Sequence, residues 1–102
     1  MIMRISIRLR LFQILRIDPG AFSNLTRLTD VSLTFNNLTT ISAGTFSQLP
    51  SLYRLDLGNN NIGAVEDDFD GVADGVQLLM HNNKITQVDH GPPLNSSVIF
   101  RG

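Results

Sequence analysis

Cysteine is absent from this 102-residue sequence. Its absence excludes a disulfide framework, a cysteine-based zinc site and a thiol nucleophile. Histidine is scarce: His81 and His90 are too few for a histidine-rich metal site. No charge of one sign dominates, and a formal net charge of −1 gives no sign of a nucleic-acid or membrane-surface binder. A secretory signal needs an unbroken apolar run of about 7–15 residues. Arg4, Arg8 and Arg10 break the opening MIMRISIRLRL, so no such run stands there. Val31 to Tyr53 carries no charge and is long enough to span a bilayer, but it is rich in Asn, Thr, Ser and Gln and contains Pro50. It is not expected to insert. There is no glycine-rich phosphate loop, and no nucleophile signature surrounds the serines or histidines, so neither catalysis nor a cofactor is expected. What remains is 42% hydrophobic and only 17% charged, the composition of a folded domain rather than a disordered chain.

The apolar residues recur at a period of 24 and then 23 residues. Segments starting at Leu25, Leu49 and Val72 align so that Asn36, Asn60 and Asn83 share one column. Leu33, Leu57 and Met80 share another, as do Leu38, Ile62 and Ile85, and Ile41, Val65 and Val88. The one-residue deletion falls in the loop before Phe69. A weaker copy precedes these units, with Ile7, Leu9, Ile14, Ile17 and Phe22 in the apolar columns and Phe12 in place of the asparagine. The expected organisation is a single array over 1–102, divided into 1–24 (degenerate), 25–48, 49–71, 72–91 and a partial unit 92–102.

In VSL, LDL and LLM, alternate residues face opposite sides of a short strand. Val31, Leu33, Leu55, Leu57, Leu78 and Met80 are expected to point inward. One unit cannot bury such residues alone, so neighbouring units must stack. Phe22, Phe46 and Phe69 are expected to plug the opposite side. The chain turns sharply after each strand and leaves backbone groups unpaired inside the coil. Buried amides at Asn36, Asn60 and Asn83 can donate to and accept from adjacent turns, as a structural ladder rather than a binding site.

The columns read LxxLxLxxNxLxxI, then Phe and LxxL. This resembles the typical extracellular leucine-rich repeat, over roughly Ile7 to Val88. The segments IDPGAF and ISAGTF look like repeats of matrix proteoglycans, Slit-like proteins and Toll-like receptors. The resemblance implies an α/β-type solenoid with a short parallel β-sheet on the concave face and mostly irregular or 3-10 convex segments. It also implies a non-catalytic protein-binding module, extracellular or at the cell surface, from a matrix protein or receptor ectodomain. Structural spacer repeats and an intracellular regulatory repeat protein are the alternatives. The 24-residue, Phe-bearing unit argues against the latter, which more often carries a helix there.

Function in such coils usually lies on the exposed strand face. Its columns are expected to be Ser6, Asp30, Arg54 and Gln77; Arg8, Ser32, Asp56 and Leu79; and Arg10, Thr34, Gly58 and His81. Tyr53 lies at the margin. Arg8 and Arg10 near Asp30, with Arg54 near Asp30 and Asp56, read either as an exposed salt ladder or as a mixed-charge protein-binding patch. The centre of that patch would be Tyr53, Arg54, Asp56 and His81. Five strands at about 4.8 Å make a sheet of only a few hundred Å², below the roughly 800 Å² a standard interface takes from each partner. Asn24, Asn37 and Asn95 head N-x-S/T triplets and are candidate glycan acceptors. Glu66 to Asp70, with Asp74, invites a calcium reading, but Phe69 splits the carboxylates and a solvated acidic loop is expected.

At the far end, Pro92 and Pro93 stand where a Phe-bearing loop would run. Either the array frays, or a shorter unit of about 20 residues begins, with Val98 and Phe100 inward, as in the short repeats of small leucine-rich proteoglycans. Neither end carries a cap. The expectation is a piece of a longer array that self-associates through its open ends, with a complete cytosolic protein as the alternative.

Overall fold

The structure, a computed structural model, describes residues 5–10, 13–42, 44–65, 71–73, 75–88 and 97–99. Seven strands follow one another: β1 (Ile5–Arg8), β2 (Leu28–Ser32), β3 (Arg54–Asp56), β4 (Ala64–Val65), β5 (Gln77–Leu79), β6 (Gln87–Val88) and β7 (Ser97–Ile99). Five form one parallel sheet in the order β1-β2-β3-β5-β7, and β4 and β6 form a second, two-stranded parallel sheet. Among the described residues there is no helix.

The register of the large sheet follows the sequence period. Ser6 pairs with Asp30, Asp30 with Arg54, Arg54 with Gln77 and Gln77 with Ser97. The β5–β7 step is shorter than the others, and Val98 lies beside Leu78. Phe100, Pro92, Pro93 and the acidic stretch around Phe69 lie outside the described residues. Strand pairing continues one residue past each strand: Leu9, Leu33 and Leu57 donate their N–H groups to Ser32, Asp56 and Leu79 carbonyls.

The core is the stack of inward columns. Val31, Leu33, Leu55, Leu57, Leu78 and Met80 are all buried, together with Leu38, Ile41 and Ile62. Burying each such side chain is worth roughly 1.5–3 kcal/mol before entropy is subtracted, and only stacking supplies that burial. The first coil is looser. Ile7, Ile14 and Ile17 are partly buried, and Leu9 is 41% exposed. These residues, with Ala21, Phe22 and Leu33, line an open apolar groove of about 360 Å³ at the β1 end of the sheet.

On the far side, among the described residues, the chain returns through isolated turns rather than through a helix. In IDPGAF, Ala21 N–H donates to the Asp18 carbonyl, with Pro19 at the turn position whose φ its ring presets. In ISAGTF, Thr45 N–H donates to the Ser42 carbonyl, and Gly44 takes a left-handed φ of 83°. Both turns deliver a phenylalanine to the core. The Phe22 and Phe46 rings stack with centroids 5.5 Å apart.

Candidate functional site

Two layers of polar groups lie along the coil: an internal amide ladder and the outer face of the strands. The ladder fixes the loops that bound the face. Asn36 Nδ2 donates to the Leu9 and Leu33 carbonyls at 2.9 and 3.0 Å, and Ile14 N–H donates to its Oδ1. Asn60 repeats the pattern one coil later: Nδ2 to Leu33, Leu57 and Gly58 carbonyls at 3.0, 3.1 and 3.1 Å, with Leu38 N–H donating to Oδ1 at 3.1 Å. Asn83 reaches the Leu57 and Met80 carbonyls, and Ile62 N–H donates to it. Asn36 and Asn60 are buried, and Asn83 is half-buried. Each side chain thus pairs a donor with its own coil and with the coil before it, which makes these asparagines structural.

The residue before each ladder asparagine is left-handed: Phe35, Asn59 and Asn82 have φ of 58°, 57° and 55°. Asparagine tolerates this region, whereas phenylalanine adopts it at a cost. Asn82 Nδ2 donates to Asn59 Oδ1 at 2.9 Å, so the second amide column bonds to itself outside the first. This column escapes sequence reading, because Phe35 interrupts it.

On the strand face, two of the three expected columns, Ser6–Asp30–Arg54–Gln77 and Arg8–Ser32–Asp56–Leu79, are observed registers. The charges are distributed differently from an exposed ladder. Asp30 and Asp56 are only 4% and 7% exposed. Arg54 spans them, with Nη1 at 3.3 Å from Asp30 and Nη2 at 3.2 Å from Asp56. Arg8 reaches the second Asp30 oxygen at 3.5 Å, and Gly58 N–H donates to the second Asp56 oxygen at 3.0 Å. Arg10 lies over the Phe35 ring, 4.0 Å from its centroid. Tyr53 stands half-exposed before β3. The His81 ring packs close against Gly58: a Cβ there would sit 2.6 Å from its Cε1 and Nε2. A glycine in a column that otherwise carries side chains was the available sign of this close approach.

The structure therefore brings Arg54 and Asp56 into one bonded unit, with Tyr53 just before it and His81 on the neighbouring coil. Asn24 and Asn37, with Thr26 and Thr39, are exposed. Asn24 takes a φ of 66°, and Asn37 Oδ1 accepts from Asn61 Nδ2 at 3.4 Å. Asn95 and His90 lie outside the described residues. Among the described residues no three His, Asp or Glu side chains form a metal-binding group, and no helix is long and apolar enough to cross a membrane.

The family model described as Leucine rich repeat matches residues 6–62 and 26–85. The chain belongs to the leucine-rich repeat family. Comparison with curated proteins and with solved structures returns no match. Leucine-rich repeats are typically non-catalytic modules that take protein partners, and the stacked coils, the parallel sheet and the asparagine ladder seen here are what such a module is built from.

Proposed function

We propose that the outer strand face of this leucine-rich repeat array is a protein-binding surface, in an extracellular or cell-surface matrix protein or receptor ectodomain. The observation that carries the reading is Tyr53, which is 50% exposed beside a pinned Arg54–Asp56 unit. A half-exposed tyrosine next to immobilised polar groups is the arrangement that interface anchors use, because little entropy remains to be lost on binding. Arg54, Asp56 and His81 complete the patch. A spacer reading draws on a different fact: Arg54 and both carboxylates are already engaged within the chain.

The two readings separate in one experiment. The chain, tetramerised and fluorescent, is screened against cells displaying an array of extracellular domains. A binder lost on Tyr53→Ala, with the melting temperature unchanged, supports the surface. Binders unaffected by Tyr53→Ala and His81→Ala support the spacer.

The extracellular assignment rests on the repeat type and on the exposed acceptors Asn24 and Asn37, either of which carries a glycan without touching the core. A secreted product that shows no mass shift on glycosidase treatment removes this support. Self-association belongs to the same reading, through the apolar groove at the β1 end closing on a second copy. Leu9→Lys, placed in that groove, is expected to lower the association seen by sedimentation. An unchanged sedimentation profile counts against it.

A further inference from the structure

On the strand-face reading above, the outer face also points to the chemistry of its partner. Among the described residues, its charged groups are Asp30 and Asp56 against Arg8, Arg10 and Arg54. Their accessibility is unequal. All four carboxylate oxygens accept hydrogen bonds, from Arg8, Arg54, Arg54 and the Gly58 N–H, and both aspartates are buried. The Arg8 side chain is 70% exposed, and Arg10 is exposed over Phe35. Negative charge is sunk in the sheet and positive charge stands above it. A cationic partner meets arginines first and finds no open carboxylate, whereas an anionic partner meets Arg8 and Arg10 directly.

Among the described residues, the opposite half of the face is uncharged outside the Arg54 unit. Tyr53 is half-exposed, and Leu79 and His81 are half-buried. Arg8 and Leu79 share one column, three strand steps apart through Ser32 and Asp56. At about 4.8 Å per step that is roughly 14 Å, the span of about four residues of extended chain.

We propose that the face takes an acidic segment of a partner protein laid across the strands, with an Asp or Glu against Arg8 and Arg10, an apolar side chain about four residues away against Leu79, and a flanking apolar contact with Tyr53 at the strand margin. A sulfated polysaccharide fits less well. It needs cations repeated along its length, and among the described residues the one arginine on the β3–β5 half is already bound to two carboxylates.

The test is selection of a random displayed peptide library on the immobilised chain, followed by titration of a selected synthetic peptide by fluorescence polarisation. Enriched peptides are expected to carry Asp or Glu about four residues from Leu, Phe or Tyr. Affinity is expected to fall about tenfold for Arg8→Glu and for Tyr53→Ala, and to fall from about 50 to 500 mM salt. Arg8→Gln is included because a carboxylate beside Asp30 can unfold the sheet edge, and melting curves check each variant. Basic or uncharged consensus peptides, or equal affinity for Arg8→Gln and the parent chain, overturn the acidic partner. Loss on Tyr53→Ala with none on Arg8→Gln overturns the charge proposal and spares the strand face. No loss on either, or no peptide enriched at all, overturns the strand-face reading as well. Displacement of the peptide by a heparin fragment that binds the chain more tightly overturns the proposal in favour of a polysaccharide.

Discussion

Replacing Asn60 by alanine isolates one rung of the ladder. Four hydrogen bonds disappear, but they are not equal. The Leu33 carbonyl keeps a donor in Asn36 Nδ2, and the Leu57 carbonyl keeps one in Asn83 Nδ2. The Leu38 N–H loses the acceptor at 3.1 Å in a fully buried setting. One orphaned buried group costs about 1–3 kcal/mol, which at roughly 4–8 °C per kcal/mol for a domain of this size makes a clear shift in Tm. Asn60→Asp should be worse than alanine. It keeps an acceptor for Leu38 but turns a carboxylate oxygen toward the Leu33, Leu57 and Gly58 carbonyls. The control at Asn59 must be glycine, not alanine. Asn59 has a φ of 57°, so alanine there adds backbone strain unrelated to its side chain. Thermal and urea unfolding by circular dichroism should rank Asn59→Gly above Asn60→Ala, and Asn60→Ala above Asn60→Asp. Equal stabilities of Asn59→Gly and Asn60→Ala would refute the ladder argument.

Three further substitutions probe the face and its margins. Gly58→Ala is expected to cost about 1–3 kcal/mol by driving a methyl into the His81 ring, and to cost measurably less in a His81→Ala background; additive double-mutant values would contradict that contact. Phe35→Asn relieves the strain of a left-handed phenylalanine, about 1–2 kcal/mol, and gives up an exposed cation–π contact with Arg10 of about 0.5–1 kcal/mol. A raised Tm is expected, and a lowered one would show that the ring holds more than strain removes. Arg54→Ala strips partners from two buried carboxylates and should cost about 1–3 kcal/mol, whereas Arg8→Ala, with an exposed head, should cost less than about 1 kcal/mol. Equal losses in urea titrations would mean that burial of the aspartates does not matter.

Much of this arrangement was legible in the residues. Period and strand alternation placed Leu33, Leu57 and Met80 in one buried column, and the amide repeat placed Asn36, Asn60 and Asn83 inside, because both patterns are forced by stacking identical coils. Three things were not legible. The burial of Asp30 and Asp56 comes from Arg54 folding across two strands, and a one-letter column shows an outward position without showing what covers it. The contact of Arg10 with Phe35 arises because the ring occupies the place an asparagine holds in the other coils. The pairing of Ala64–Val65 with Gln87–Val88 is set by how the return segments align, and two-residue strands carry no period of their own.

Amide chemical-shift mapping of the isotope-labelled chain with a selected acidic peptide tests the central claim, that partners dock on the strand face. Shifts are expected to cluster at Ser6, Arg8, Ser32, Thr34, Tyr53 and Leu79, with Ser23, Gly44, Thr45 and Ser47 on the return side unmoved. Shifts concentrated on those return-side residues, with the strand amides unchanged, would contradict it.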